Sequence, residues 1–290
     1  TPVKTDWKQT RLASVVKSND KDSFKAKMDE IATIVANYRH RAKDLGVETI
    51  GVVGTEALRQ ACAKGLYAPG GNFPDLVVLN KETEARCSLV AAIKGLPAVL
   101  DSAKPILVID QGAGSMELAV GELIKGNVKL RAYRSYRLGS EALLDILHEA
   151  KGNQEKFRQV VIHRINEYKF EDAYQAQAIV LGSVATNSAW MWVRKNPQEP
   201  YDPRKVHGHL MTATNVGKLV VALGNAMTKT PDQARQFIDP RNPQGNELEI
   251  LIAGLTTLLI FLKKYDIRQY RVSGYGMRYG MVWLLAAGTL

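Results

Sequence analysis

The sequence lacks the features that would place it in several large classes of protein. Its 290 residues include only two cysteines, Cys62 and Cys87, too few for a disulfide framework, and no Cys/His cluster at zinc spacing accompanies them. No apolar run is long enough to span a bilayer: the longest, Ile250–Leu262, ends at Lys263 and Lys264, whereas a spanning helix needs about 20 residues. The N-terminus carries no basic-then-apolar signal segment, so a soluble, cytoplasmic protein with no membrane partner is expected. Low-complexity tracts and short internal repeats are also missing.

Acids are the scarcer charge. Asp plus Glu number 29 against 39 Lys plus Arg, a formal charge of +10 that suits a polyanion such as nucleic acid, acidic lipid or a phosphate chain. An unspecialised basic surface fits the charge equally well. One cluster, Lys125, Lys129, Arg131, Arg134 and Arg137, is interleaved with Tyr133 and Tyr136, a pattern that can stack nucleobases. A solvated strand face is the better reading of it, and nucleic acid ranks only third among the expected partners. The remainder is ordinary globular composition, 46% hydrophobic and 23% charged, in a chain long enough for two domains.

The first half alternates between helix and strand patterns. Asp22–Leu45 has apolar residues at helical spacing, with Gly46 placed as a C-cap. Thr49–Val53 reads as a strand opening at Gly54, followed by a helix over Glu56–Ala63. A strand over Asp75–Leu79 precedes a helix over Glu82–Ile93. From Pro105 the pattern becomes a strand meander: Ile106–Ile109, Met116–Gly121 and Val128–Arg137. Helices are expected at Ser140–Ala150, Gln154–Tyr168, Thr212–Met227, Pro231–Phe237, Asn246–Lys264 and from Met277, with strands at Ala178–Leu181 and Tyr270–Val272. The change near 100–105, bracketed by Pro97 and Pro105, sets the expected domain boundary: a first lobe over 1–103, and a second over 104–290 with helical insertions.

Three turns carry the chemistry. In Val108–Glu117 a buried strand ends in Asp110, small residues turn the chain, and a second strand begins. Gly112 and Gly114 would let backbone N–H groups approach a phosphate, and a carboxylate beside them suits a hydrated divalent cation. Gly54–Arg59 opens a helix after a strand and adds a guanidinium, the side chain best shaped to grip phosphate. Asn80–Arg86 also opens a helix after a strand, and places Glu84 in its first turn. Taken singly, each fits a plain hairpin, a capped surface helix or acids serving the helix dipole equally well.

Their order is more informative. A strand–GTxALR turn, a strand–xExEAR turn and a DxGxGSxEL hairpin resemble the ATSALRDA, SGEEEAR and DIGGGSTEL motifs of the exopolyphosphatase and guanosine-pentaphosphate phosphohydrolase (Ppx/GppA) family. That family belongs to the sugar-kinase/Hsp70/actin superfamily. Ser135–Gly139, Val180–Ser183 and Val272–Gly280 extend the resemblance over nearly the whole chain. It implies an α/β fold of two actin-like (ribonuclease H-like) lobes with a cleft between them, and Mg²⁺-dependent hydrolysis of phosphoanhydride bonds in inorganic polyphosphate or guanosine pentaphosphate. By position, Glu84 matches the catalytic general base. Asp110 and Glu117 match the acids that position metal and water. Gly112, Ala113, Gly114 and Ser115 match the phosphate cradle, and Arg59 matches the arginine on the phosphate chain. A homodimer is among the states the resemblance allows.

The sequence departs from the family at Gln111, Ala113 and Met116, where members carry isoleucine, glycine and threonine. It departs again at Gly182–Asn187, where they carry a glycine-rich loop. The family's opening strands and DxGSNS-type hairpin do not appear, so a segment upstream of Thr1 is expected. The alternative reading is a degenerate member that senses polyphosphate or a phosphorylated guanosine nucleotide without turnover.

Overall fold

The computed structural model describes residues 10–47, 51–70, 73, 75–101, 103–167, 169–227 and 247–289. The chain is mixed α/β and divides into two compact units, Thr1–Asn80 and Lys81–Leu290. The boundary expected at 103/104 therefore falls inside the second unit.

In the first unit the described elements are α1 (Leu12–Ser18), α2 (Lys21–Asp44), β1 (Val52–Gly54), α3 (Glu56–Ala63) and β2 (Leu76–Val78), with β1 and β2 paired in parallel. Asp20 caps α2 by accepting from the Asp22 N–H, and Gly46 at φ 69° supplies the left-handed turn that ends it. Val16, Phe24, Met28, Leu58, Ala61, Phe73 and Leu76 form the core of this unit.

The second unit begins with α4 (Lys81–Gly95). A six-stranded sheet follows, built from β3 (Ile106–Gln111), β4 (Met116–Ile124), β5 (Asn127–Tyr136), β6 (Gln177–Leu181), β7 (Leu210–Thr212) and β8 (Gln269–Val272) in the order β5-β4-β3-β6-β8-β7. β5, β4 and β3 are an antiparallel meander; β6 runs parallel to β3 and β8 parallel to β6, while β7 is antiparallel to β8. The helices are α5 (Ser140–Glu149), α6 (Gln154–Asn166), α7 (Ser183–Val193), α8 (Pro203–Val206), α9 (Ala213–Met227), α10 (Glu247–Lys264) and α11 (Met277–Ala286). The helix expected at Pro231–Phe237 lies outside the described residues. Among the described residues, no helix is long and apolar enough to cross a membrane.

β3 is central, which explains its continuous apolar run: Ile106, Leu107, Val108 and Ile109 are all buried, because both faces of the sheet are covered. One face meets α4 through Ala85, Leu89, Ala92 and Ile93, which pack on Ile106, Val108 and Ala119. The other carries the larger core, where Leu107, Ile109 and Leu118 join Leu251, Leu255 and Leu258 of α10. α4 is itself overlaid by α11, so it is buried on nearly every side and has little amphipathic signal. The end of α4 is tied to the loop before α11: the Gly274 N–H donates to His207 Nδ1 (3.1 Å), while His207 Nε2 lies 3.0 Å from the Gly95 carbonyl.

Gln111 ends β3 on the α10 face. Its Nε2 is buried without a hydrogen-bond partner, and its Oε1 lies close to Gly254 of α10. An unpaired buried amide costs about 1–3 kcal/mol, so Gln111→Met, close in volume, is expected to raise unfolding stability by about 1 kcal/mol. Chemical denaturation checks this; a loss of stability would mean that the amide is satisfied in solution.

Candidate active site

The candidate site grows from the C-terminal end of β3, where open α/β sheets place ligands. Asp110 lies opposite Glu117 on β4, and Glu117 lies opposite Ser135 on β5. Directly opposed residues share a face with Cβ atoms roughly 4.5–5.5 Å apart, so the three form a polar row across the meander. That row is on the α4 side of the sheet, where the apolar packing stops. α4 answers it with Glu84 and Ser88, one helical turn apart on the same face.

The serines hold the acids. Ser88 Oγ donates to Asp110 Oδ2 (2.5 Å), and Ser135 Oγ donates to Glu117 Oε1 (3.0 Å). Glu84, Ser88, Ser115 and Glu117 are buried, and Asp110 is half-buried. Withdrawal from solvent raises the Asp110 carboxyl above its ordinary value, against the pull of the Ser88 hydroxyl. Glu117 is pushed up to about 8, first by burial and then by the Glu84 charge; Asp110 adds to this, while the Ser115 and Ser135 hydroxyls oppose it. Three carboxylates therefore share one poorly solvated corner. The cluster has a surplus of negative charge at neutral pH, which a cation or a proton must relieve.

That surplus has a measurable consequence. Between the ordinary glutamate value of 4.5 and about 8, folded Glu117 keeps a proton that the unfolded chain releases. The stability gained from this is complete below the lower value and is lost as pH rises through about 8. In metal-free buffer the denaturation midpoint is expected to fall over that window, and Glu117→Gln should flatten the decline. An identical slope in the variant would contradict the placement of Glu117.

The turn at 112–115 closes with the Gly112 N–H on the Ser115 carbonyl (3.0 Å). The Gly112 and Ala113 carbonyls accept from the Ser140 and Glu141 N–H groups (both 2.9 Å), which seats the loop on the N-terminus of α5. A Cβ at Gly139 would come within 2.4 Å of Ala113 O and Ser115 N, so only glycine fits beneath the loop. Among the described residues the amides of Ala113, Gly114 and Ser115 make no backbone hydrogen bond, so successive donors are left unspent in the turn that joins β3 to β4. Gly182, between β6 and α7, has φ 97°, and a Cβ there would lie 2.4 Å from Gln111 O. The α7 N-terminus thus sits against the end of β3.

Of the sequence-derived residues, the second unit brings together Glu84, Asp110, Glu117, Gly112, Ala113, Gly114 and Ser115. Arg59 belongs to the first unit. There its Nε and Nη2 donate to Glu56 Oε2 (3.2 and 2.9 Å), and its Nη1 donates to the Leu79 carbonyl (2.8 Å). This places the guanidinium as a brace between α3 and the end of β2. Ser88 has no counterpart among the sequence motifs; its signal is a lone hydroxyl, four residues after Glu84, in an otherwise apolar helix stretch. Ser135 lies within the Ser135–Gly139 segment, yet its sequence context alone points to no role. Among the described residues, no group of three or more His, Cys, Asp or Glu side chains is arranged to hold a metal ion by itself.

A crystal structure of an Aquifex aeolicus Ppx/GppA family member matches with a TM-score of 0.74 and 21% identity, over 96% of this chain and 87% of that one. An exopolyphosphatase from Cytophaga hutchinsonii matches with a TM-score of 0.69 and 18% identity, over 91% and 83%. At such identities these likenesses show the fold, a two-lobed α/β architecture. Comparison with curated proteins gave no match. The Ppx/GppA phosphatase family model matches residues 1–286, and the chain belongs to that family, which makes it a phosphohydrolase by class.

Proposed function

We propose that the protein is a cytoplasmic, Mg²⁺-dependent hydrolase that removes terminal phosphate from inorganic polyphosphate, with guanosine pentaphosphate as the second candidate substrate. The observation that carries this reading is the convergence of Glu84, Asp110 and Glu117 beside a turn whose Ala113, Gly114 and Ser115 amides make no backbone hydrogen bond. Hydrolysis of a phosphoanhydride needs a positioned phosphoryl group, a base for the attacking water and relief of charge on the phosphate oxygens. Glu84 serves as the base, within electrostatic reach of Glu117 yet on a separate element. The loop amides orient the terminal phosphate. The buried side of the cluster keeps bulk water away from it.

The donor set fits a divalent cation. Mg²⁺ keeps much of its water and takes only one or two carboxylates with phosphate oxygens, so the lack of a three-acid cage is no obstacle. Asp110 and Glu117 would hold it, and their surplus negative charge favours binding. When bound, the ion would neutralise charge on the phosphate. The Ser88 and Ser135 hydroxyls keep the two carboxylates turned towards the shared position.

The +10 charge favours the longer polyanion. The test is phosphate release from long-chain polyphosphate and from guanosine pentaphosphate, compared at rising salt. Polyphosphate is expected to have the higher kcat/KM and the steeper loss with salt, because screening shortens the reach of surface charge. Release from neither substrate, with both bound, would assign the protein as a sensor instead.

A further inference from the structure

The six-stranded sheet has a second concave feature at the end away from Asp110, where β6 and β8 begin. It is a cavity of about 410 Å³ between the segment before β3, the start of β6 and the turn from α10 into β8. Ligand cavities run from roughly 300 to 1,000 Å³, so this one suits a small molecule rather than a polymer. Its charge is unbalanced: Lys104, Arg268 and Arg271 line it against one acid, Asp266.

The cations differ in how they are held. Arg271 Nη1 donates to the Gly208 carbonyl (2.9 Å), which fixes the guanidinium in place. Arg268 meets Asp266 only at 3.8 Å, and Lys104 meets Asp101 only at 3.8 Å, in ion pairs whose side chains are all more than half exposed. Pairs so long and so exposed hold their partners weakly, so both heads can turn to an incoming anion. Guanidinium groups suit phosphate because they offer forked donors. Val99 and Leu210, both exposed, add an aliphatic wall, which inorganic phosphate would not use.

We infer that this cavity binds a small phosphate ester with a planar or apolar body, of mononucleotide size, at a site separate from the carboxylate cluster. The site lies beyond the proposed hydrolytic function and does not depend on it.

Calorimetric titration with adenosine 5′-monophosphate and, separately, with inorganic phosphate tests the assignment. Three proteins are compared: the wild type, the double variant Lys104→Gln/Arg268→Gln, and Glu117→Gln. Saturable nucleotide binding is expected in the wild type, unchanged in Glu117→Gln and weakened at least about tenfold in the double variant, since removal of even one charge-assisted hydrogen bond has an effect of about that size. Both replaced side chains are exposed, so the denaturation midpoint of the double variant should stay at the wild-type value. Inorganic phosphate should bind more weakly than the nucleotide. Absence of nucleotide binding, binding indifferent to the double substitution, binding lost in Glu117→Gln, or equal affinity for inorganic phosphate would each overturn the proposal.

Discussion

Glu84→Gln is expected to lower phosphate release from polyphosphate by about 10²–10⁴-fold, the usual contribution of a general base. The substitution keeps the shape and the helix position while removing the proton acceptor. Polyphosphate affinity should stay near that of the wild type, because the loop amides and the basic surface are untouched. A second effect separates this role from a merely structural one. The Glu84 charge helps to hold Glu117 in its protonated form, so its neutralisation should lower the Glu117 pKa from about 8 and narrow the pH window of declining stability. Steady-state kinetics and a pH series of denaturation midpoints read the two effects. Turnover retained in the variant would remove Glu84 from the mechanism.

The second large effect is on packing. Gly280 of α11 lies against α4 so closely that an added Cβ would meet the Cys87 carbonyl oxygen at 1.8 Å and its carbon at 2.6 Å. Backbone cannot turn aside as a side chain can, so Gly280→Ala must push the two helices apart. Overpacking of this kind costs about 3 kcal/mol. α4 also carries Glu84 and Ser88, and its displacement stretches the Ser88–Asp110 hydrogen bond. Turnover should therefore fall together with stability. Urea denaturation and phosphate release on one preparation check the pair; a variant as stable as the wild type would contradict the helix contact.

The two effects share a cause that the sequence displays only in part. The end of β3 was legible because a buried strand, an acid and a small-residue turn are adjacent in the chain, and β3, β4 and β5 fall close to where the patterns place them. The pairing of Glu117 with Asp110 follows from the tight turn between them, since a hairpin fixes its own register. α4 was legible as a helix, but its place was not. Whether it packs with the strands before it or after it depends on contacts with β3, β4, β5 and α11, which lie far along the chain, and this is why the compact units divide at Asn80.

Other elements were hidden by brevity. β7 has three residues and a polar end, and pairs only at the edge beside β8. α1 is bounded by Arg11 and Asn19 at positive φ, and no side-chain cap announces its start. Arg59 was legible as a cation near a helix start, one turn from Glu56, but its bond to the Leu79 carbonyl was not, because that contact joins residues 20 apart in the chain. Ser88 was hidden for the opposite reason: one hydroxyl in a buried helix gains meaning only when Asp110 is known to lie beneath it.

The most direct measurement is the rate of phosphate release from polyphosphate by the wild-type protein as Mg²⁺ is raised from zero. Release that climbs from background to a plateau, with the plateau lost in Glu84→Gln, is the expected result. Polyphosphate that binds but yields no phosphate at any Mg²⁺ concentration would contradict the assignment of the carboxylate cluster as a hydrolytic centre.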